Sequence, residues 1–300
     1  MTNLIKKIDS LGVHYKTDEP MKNHTSFKTG GNAVLFIEPS DEAELTEVLK
    51  VCDENEADIF ILGKGSNLLV SDDGIKDRAV IHIAGGLDEI KLIDDTTIVA
   101  GAGASLASLC KFALANELTG LEFAYGIPGS CGGAAFMNAG AYGGEMKDVL
   151  ISCTHLDKKG NKGTFTGDEL DLSYRHSVYS EKDLIITSLT LKLKKGNKDE
   201  IESRMNELMG RRKDKQPLEY PSAGSVFKRP EGYFAGALIE QSGLKGKRIG
   251  GAMVSEKHAG FIINYSEATT AHVISLIKHC QATVKDKFGV DLETEIRFVL

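Results

Sequence analysis

The sequence predicts an α+β fold, and three observations carry that prediction. Apolar runs of strand length recur along the 300 residues. Amphipathic helical patterns lie among them, with no internal repeat. A proline cluster, Pro217, Pro221 and Pro230, then sets off a last stretch with strands and a long helix of its own. Hydrophobic residues make up 41% and charged residues 26%, an ordinary globular balance with material for one large or two to three small domains.

Ala33–Glu38 (AVLFIE) reads as a strand. Ser40 is expected to cap a helix opened by Asp41 and Glu42, whose charges suit its positive end. Leu45, Val48, Leu49 and Cys52 form the apolar face of that helix. Asp58–Leu62, Ala79–Ile83 and Thr97–Ala100 follow as strands, and Ser105–Asn116 as a helix with Leu106, Leu109, Cys110 and Ala113 on one side. From Gly126 to Gly144 no period is visible, and seven of the 32 glycines fall there. Strands return at Val149–Leu156 and Leu184–Leu193, and Lys158–Asn161 reads as a hairpin turn. A helix from Lys198 to about Arg212 carries Ile201, Met205, Leu208 and Met209. Beyond the prolines come a helix near Phe234–Gln241 and strands near Ala252 and at Phe261–Asn264. A helix from about Ala268 to Phe288 buries Val273, Leu276, Ile277, Cys280 and Val284, and a strand Glu295–Leu300 closes the chain.

Acidic residues exceed basic ones, 43 to 36, and no block of five like charges occurs, so no nucleic-acid partner is expected. The five cysteines are scattered, odd in number and form no CxxC. They read as reduced thiols of a cytoplasmic protein, with neither a disulfide framework nor a metal site. The first residues, MTNLIKKIDSLGVHYK, are charged and amphipathic with no secretory h-region, and no run of 18 apolar residues exists, so no membrane span is expected.

Several segments could carry chemistry. Gly63-Lys64-Gly65-Ser66-Asn67 directly follows a strand. Its alternate glycines free the backbone to aim N–H groups at an anion, although a plain tight loop fits equally well. Gly126-Ile127-Pro128-Gly129-Ser130-Cys131-Gly132-Gly133 and Asn138-Ala139-Gly140-Ala141-Tyr142-Gly143 leave room for a ligand against the backbone; close packing accounts for only part of such density. Gly101-Ala102-Gly103-Ala104-Ser105-Leu106 imitates a dinucleotide fingerprint, but Leu106 stands where the third glycine belongs. Arg175 in Tyr174-Arg175-His176-Ser177 could pair with a carboxylate or phosphate. Ser225 lies in a small-residue turn that is no GxSxG elbow. In LETEIRF, Glu295 and Arg297 would share one strand face.

Taken in order, NHTSFKTGG, GKGSNLLV, GIPGSCGGAAFMNAGAYGG, YRHS, GSVFKRP and LETEIRF resemble the UDP-N-acetylenolpyruvoylglucosamine reductase family along nearly the whole chain. The resemblance implies a two-part FAD-binding fold of the vanillyl-alcohol-oxidase-like (PCMH) type plus a C-terminal α+β substrate domain. The implied division is 1–78 and 79–213 for the two flavin-binding parts and 214–300 for substrate. It implies non-covalent FAD, since no histidine lies within GKGSN, and NADPH as hydride donor. The implied reaction reduces the enolpyruvyl group of UDP-N-acetylglucosamine-enolpyruvate, for peptidoglycan precursor synthesis. NADPH and the UDP-sugar are the implied small-molecule partners.

Residue by residue, the family's YRxS arginine falls on Arg175, its GSxF serine on Ser225 and its C-terminal carboxylate on Glu295. Hydride addition at C3 leaves negative charge at C2 and the adjacent carboxylate. Preorganised donors to such charge are worth about 3–4 kcal/mol each. Arg175 would supply the positive charge and Ser225 the proton to C2. Glu295 would help as a neutral carboxyl, its pKa raised by burial against a carboxylate. Gly63, Lys64, Gly65, Ser66, Asn67 and Leu68 would cradle the FAD diphosphate. Gly126, Pro128, Gly129, Ser130, Gly132, Gly133, Asn138, Gly140, Ala141 and Tyr142 would wrap the rest of the cofactor. Arg212 and Arg297 would touch flavin or phosphate. Lys215, Lys228 and Arg229 would meet substrate, with Lys228 also easing proton loss from Ser225. The inserted tyrosine loop of the longer family form has no place in this chain. Two other readings use part of the same evidence: another flavin oxidase or dehydrogenase of this fold, and a non-catalytic nucleotide-binding protein.

Overall fold

A computed structural model describes residues 1–300. The chain sorts into two compact units, each assembled from separated stretches. The first comprises Met1–Thr17, Leu35–Lys64 and Asp77–Arg211, the second Asp18–Val34, Gly65–Lys76 and Arg212–Leu300.

In the first unit, Lys162–Thr166, Leu150–Asp157, Leu184–Lys192, Thr97–Gly101 and Ile90–Leu92 form a five-stranded sheet in that order, antiparallel throughout. Ala79–His82 pairs in parallel with both Asn32–Glu38 and Ile59–Leu62. The helix Glu42–Glu54 buries Leu45, Val48, Leu49 and Cys52, as its period requires. Its cap is Asp41 rather than Ser40: the Asp41 carboxylate accepts from the Glu44 N–H at 2.8 Å, and Glu44 accepts from the Ser40 N–H at 2.7 Å. The helix read as Ser105–Asn116 runs Leu106–Ala115, with Ser105 as its cap, its Oγ accepting from the Ser108 N–H at 2.9 Å.

The region read as having no period contains a short helix, Cys131–Phe136, capped by Ser130. Two glycines, each about 1 kcal/mol poorer than alanine in a helix, hide it from any propensity argument. Packing explains one of them: a Cβ on Gly132 would lie 2.8 Å from the Ala102 Cβ. The dinucleotide-like GAGAS loop is thus the surface against which this helix packs. Leu106, in place of the third glycine, is a core residue.

In the second unit, Arg248–Ile249, Ala252–Val254 and Ile262–Asn264 make a small antiparallel sheet. The helix Thr270–Phe288 packs against it and buries Val273, Leu276, Ile277, Cys280 and Val284 together with Phe27 and Leu69. The Asp72 carboxylate accepts from the N–H groups of Thr270 and Ala271 at 2.8 and 2.9 Å, so it fixes the start of that helix. Leu68–Val70 pairs in parallel with Arg297–Val299. The closing strand is therefore shorter than Glu295–Leu300. A bend at Ile296 separates Glu295 from the strand, so the alternation argument that put Glu295 and Arg297 on one face does not apply. The helix read as ending near Arg212 continues to Lys215. No helix of the chain is long and apolar enough to cross a membrane.

Candidate active site

The strand Ile59–Leu62 delivers the chain into Gly63. A Cβ there would stand 2.5 Å from the Ser130 Oγ, so in the first unit the two glycine-rich stretches singled out from the sequence meet. Ser130 is 2% exposed and accepts from the Gly133 N–H at 3.3 Å. The next amides are engaged by protein: Cys131 N–H donates to the Ala104 carbonyl and Gly132 N–H to the Ala102 carbonyl, both at 2.8 Å. The N–H groups of Gly126 and Gly129 have no protein acceptor, nor do those of Lys64, Gly65 and Ser66. Orphan amides on glycine-rich turns suit anionic oxygens. Gly65 holds φ +59°, and a Cβ on it would collide with the His24 carbonyl oxygen, so this loop conformation requires glycine.

Tyr142 and Gly143 form the two-residue turn of a hairpin, both at positive φ, with Gly144 opposite Ala141 and Glu145 opposite Gly140. The Tyr142 ring is 39% exposed at the tip. Asn138, by contrast, is 1% exposed. Ser173 and His176 exchange backbone hydrogen bonds of 3.2 and 3.1 Å around Tyr174 and Arg175. Arg175 takes φ +56°, a left-handed conformation that costs an L-residue about 1–2 kcal/mol. Its guanidinium lies 5.3 Å from the Tyr174 ring centroid.

In the second unit, Ser225 bridges Phe261, and Val226 N–H donates to the Gly260 carbonyl at 2.9 Å. On the other side, Glu295 N–H donates to the Val226 carbonyl at 2.7 Å, Phe227 bridges Thr294, and Lys228 N–H donates to the Glu293 carbonyl at 2.8 Å. GSVFK is thus a strand-like segment between two neighbours, and Ser225 and Glu295 sit on adjoining rungs. Asn67 joins them: its amide donates to the Glu295 carbonyl at 3.1 Å, and its own carbonyl accepts from the Arg297 N–H at 2.9 Å. Three motifs distant in sequence therefore come together here. Arg175 belongs to the first unit. Lys228 is ion-paired with Glu293 at 2.5 Å. The Arg229 guanidinium stacks 4.5 Å from the Phe234 ring centroid, and Lys215 is exposed. Arg212 is 9% exposed, and one turn on the Gln216 Oε1 is a buried acceptor with no protein donor. Thr29 Oγ1 in the same unit is likewise buried and unpartnered. Within the first unit, the orphaned amides of Lys64, Gly126 and Gly129 fit the oxygens of a polar anionic cofactor.

Sequence reasoning missed His258, a lone histidine with no motif spacing around it. Its Nδ1 accepts from the Gly260 N–H at 3.1 Å, which leaves the proton on Nε2 in the neutral ring. A Cβ on Gly260 would lie 3.2 Å from that Nδ1 and 3.3 Å from the Ser225 Oγ, so both groups crowd the same glycine. Burial pushes the His258 pKa below its ordinary value of 6.5, and burial does the same for His155. The unfolded chain therefore binds more protons than the folded one below about pH 6.5. The contribution of both rings to stability is complete above that pH and lost as pH falls through the folded values. Thermal midpoints recorded from pH 8 to 5 should drop below about pH 6.5, and His258→Gln should flatten the drop. A midpoint that does not move across that range would contradict this.

Residues 33–163 match the family model described as FAD binding domain. Residues 216–299 match the one described as UDP-N-acetylenolpyruvoylglucosamine reductase, C-terminal domain. The UDP-N-acetylenolpyruvoylglucosamine reductase of Agathobacter rectalis is 53% identical over 295 residues, covering 94% of this chain and 93% of its own length. That of Caldanaerobacter subterraneus is 49% identical over 299 residues, covering 100% of this chain and 98% of its own. The crystal structure of the Thermus caldophilus enzyme superposes with a TM-score of 0.80 at 36% identity, covering 95% of this chain and 98% of that one. Glycine loops with orphaned amides, a serine and a carboxylate on adjoining rungs, and likeness at this level over the full length agree, and the chain belongs to the UDP-N-acetylenolpyruvoylglucosamine reductase family.

Proposed function

We propose that this chain catalyses the reaction of its family, the FAD-dependent, NADPH-driven reduction of UDP-N-acetylglucosamine-enolpyruvate to UDP-N-acetylmuramate, in the cytoplasm. The observation that carries the reading is the meeting of Gly63 with Ser130, which joins the two glycine-rich loops, with unpaired amides on both. Bound FAD supplies the hydride chemistry, from the nicotinamide to C3 of the enolpyruvyl ether. Residues 1–78 and 79–213 serve flavin binding, and 214–300 serve substrate. The amides of Lys64, Gly65 and Ser66 hold diphosphate oxygens, and those of Gly126 and Gly129 the remaining cofactor, with Arg212 and Arg297 as further contacts. Lys215 and Arg229 attract the substrate diphosphate.

Arg175 places a permanent charge against the enolate that forms at C2 and its carboxylate. Guanidinium is suited to this because its planar fork matches a carboxylate and it does not titrate. Ser225 passes its hydroxyl proton to C2; the enolate is basic enough to take it once the two are held in reach. Glu295 acts as a neutral carboxyl donating to the substrate. The purified protein is expected to be yellow, and to consume NADPH only when the enolpyruvyl sugar nucleotide is present. A colourless protein unable to take up FAD would overturn the reading. Rapid reoxidation by oxygen with no response to the sugar nucleotide would assign the chain to another flavoprotein activity.

A further inference from the structure

We infer that Asn138 is a positioning residue for Arg175, acting through the backbone turn that carries the arginine rather than on the cofactor. This rests on the reading of Arg175 as the group that stabilises the enolate. The Asn138 side chain is wholly engaged by protein. Its Nδ2 donates to the Ser173 carbonyl at 2.9 Å and to the Glu145 carboxylate at 2.6 Å, and its Oδ1 accepts from the Lys147 N–H at 2.9 Å. The Ser173 carbonyl also accepts from the His176 N–H at 3.1 Å, the bond that closes the turn with Arg175 at its third position. Asn138 thus grips the base of the turn. A second tie lies beside it: the fully buried Ser177 donates its hydroxyl to the Phe136 carbonyl at 2.7 Å. Both ties reach the exit of the helix Cys131–Phe136, so the Arg175 turn is fastened to the glycine-rich segment.

The residue type follows from these partners. Two donors and one acceptor are needed at one buried point, and an amide alone supplies them without charge. The backbone there holds φ +41°, which asparagine tolerates better than most residues. Released from Ser173, a turn with a left-handed arginine would relax toward negative φ and carry the guanidinium away from its place. A misplacement of about 1 Å costs on the order of 100-fold in rate.

The test compares Asn138→Ala, Asn138→Asp, Arg175→Ala and the double variant Asn138→Ala/Arg175→Ala as holoenzymes. FAD content, flavin reduction by NADPH, flavin reoxidation by the enolpyruvyl substrate, and amide exchange across 171–180 are each measured. Asn138→Ala should keep FAD content and the NADPH step, slow reoxidation by roughly 100-fold, and speed exchange at the His176 amide. In the Arg175→Ala background the same change should add nothing, because both act through one group. Asn138→Asp sets a carboxylate against Glu145 and a carbonyl at neutral pH; its reoxidation rate should recover as pH falls and the carboxyl regains a donor hydrogen. If Asn138→Ala fails to fold, that pH rescue carries the test alone, and its absence overturns the proposal. Loss of FAD with normal reoxidation per flavin would make Asn138 a cofactor ligand instead. Additive effects in the double variant would also overturn it. Parental reoxidation by Arg175→Ala would sink the enolate reading itself, and the proposal with it.

Discussion

Replacing Ser225 with alanine is expected to slow reduction of the enolpyruvyl substrate by about 100- to 10,000-fold, the usual worth of a positioned proton donor. NADPH should still reduce the flavin at the parental rate. On the proposed mechanism the asymmetry follows from where the hydroxyl acts, on a proton to C2 that no earlier step needs. The fold should be indifferent to the change. The bonds that seat this segment are backbone bonds, from Val226 to Gly260 and from Glu295 to Val226, and alanine keeps them. Rapid mixing of prereduced enzyme with the sugar nucleotide checks the rate, and a melting curve checks the fold. Turnover at the parental rate would remove Ser225 from the mechanism. A collapsed melting temperature would show that the loss is structural.

Much of this architecture is legible from residue periodicity, and the exceptions have physical reasons. Helices such as Glu42–Glu54, Leu106–Ala115 and Thr270–Phe288 announce themselves because one face must be apolar for several turns. The helix Cys131–Phe136 is six residues long and opens Cys-Gly-Gly, so neither period nor propensity reveals it. Its reason for being a helix is the wall formed by Ala102, which lies far off in sequence. Asn67 and Glu295 are joined across 228 positions, and local patterns hold no trace of such a pairing. That is also why the stretches 18–34 and 65–76 fold with the C-terminal third without a compositional sign.

The site was legible as motif chemistry, but its internal supports were not. Glycine density pointed to Gly63 and Ser130, which do meet. It also pointed to Asn138, whose side chain is occupied by protein partners. A buried asparagine and a ligand-binding one look alike in sequence, since both offer the same donors and acceptor. His258 is invisible for a related reason: its partner is the backbone N–H of Gly260, a group every non-proline residue carries.

Arg175→Gly is expected to separate function from stability. Arginine at φ +56° pays a conformational penalty of about 1–2 kcal/mol that glycine avoids. Glycine loses roughly 0.5–1 kcal/mol through the greater freedom of its unfolded chain. The two nearly cancel, so the melting temperature should hold or rise slightly. Reduction of the enolpyruvyl group should nonetheless fall by about 100- to 1,000-fold, the cost of removing one preorganised donor to developing negative charge. Arg175→Lys should recover only part of that, because an ammonium restores charge without the fork that meets a carboxylate on two atoms. Melting curves of the three proteins, set beside their reoxidation rates, decide the matter. A clear fall in the glycine variant's midpoint would mean that the arginine side chain holds the turn together. An undiminished rate would mean that the enolate is stabilised elsewhere.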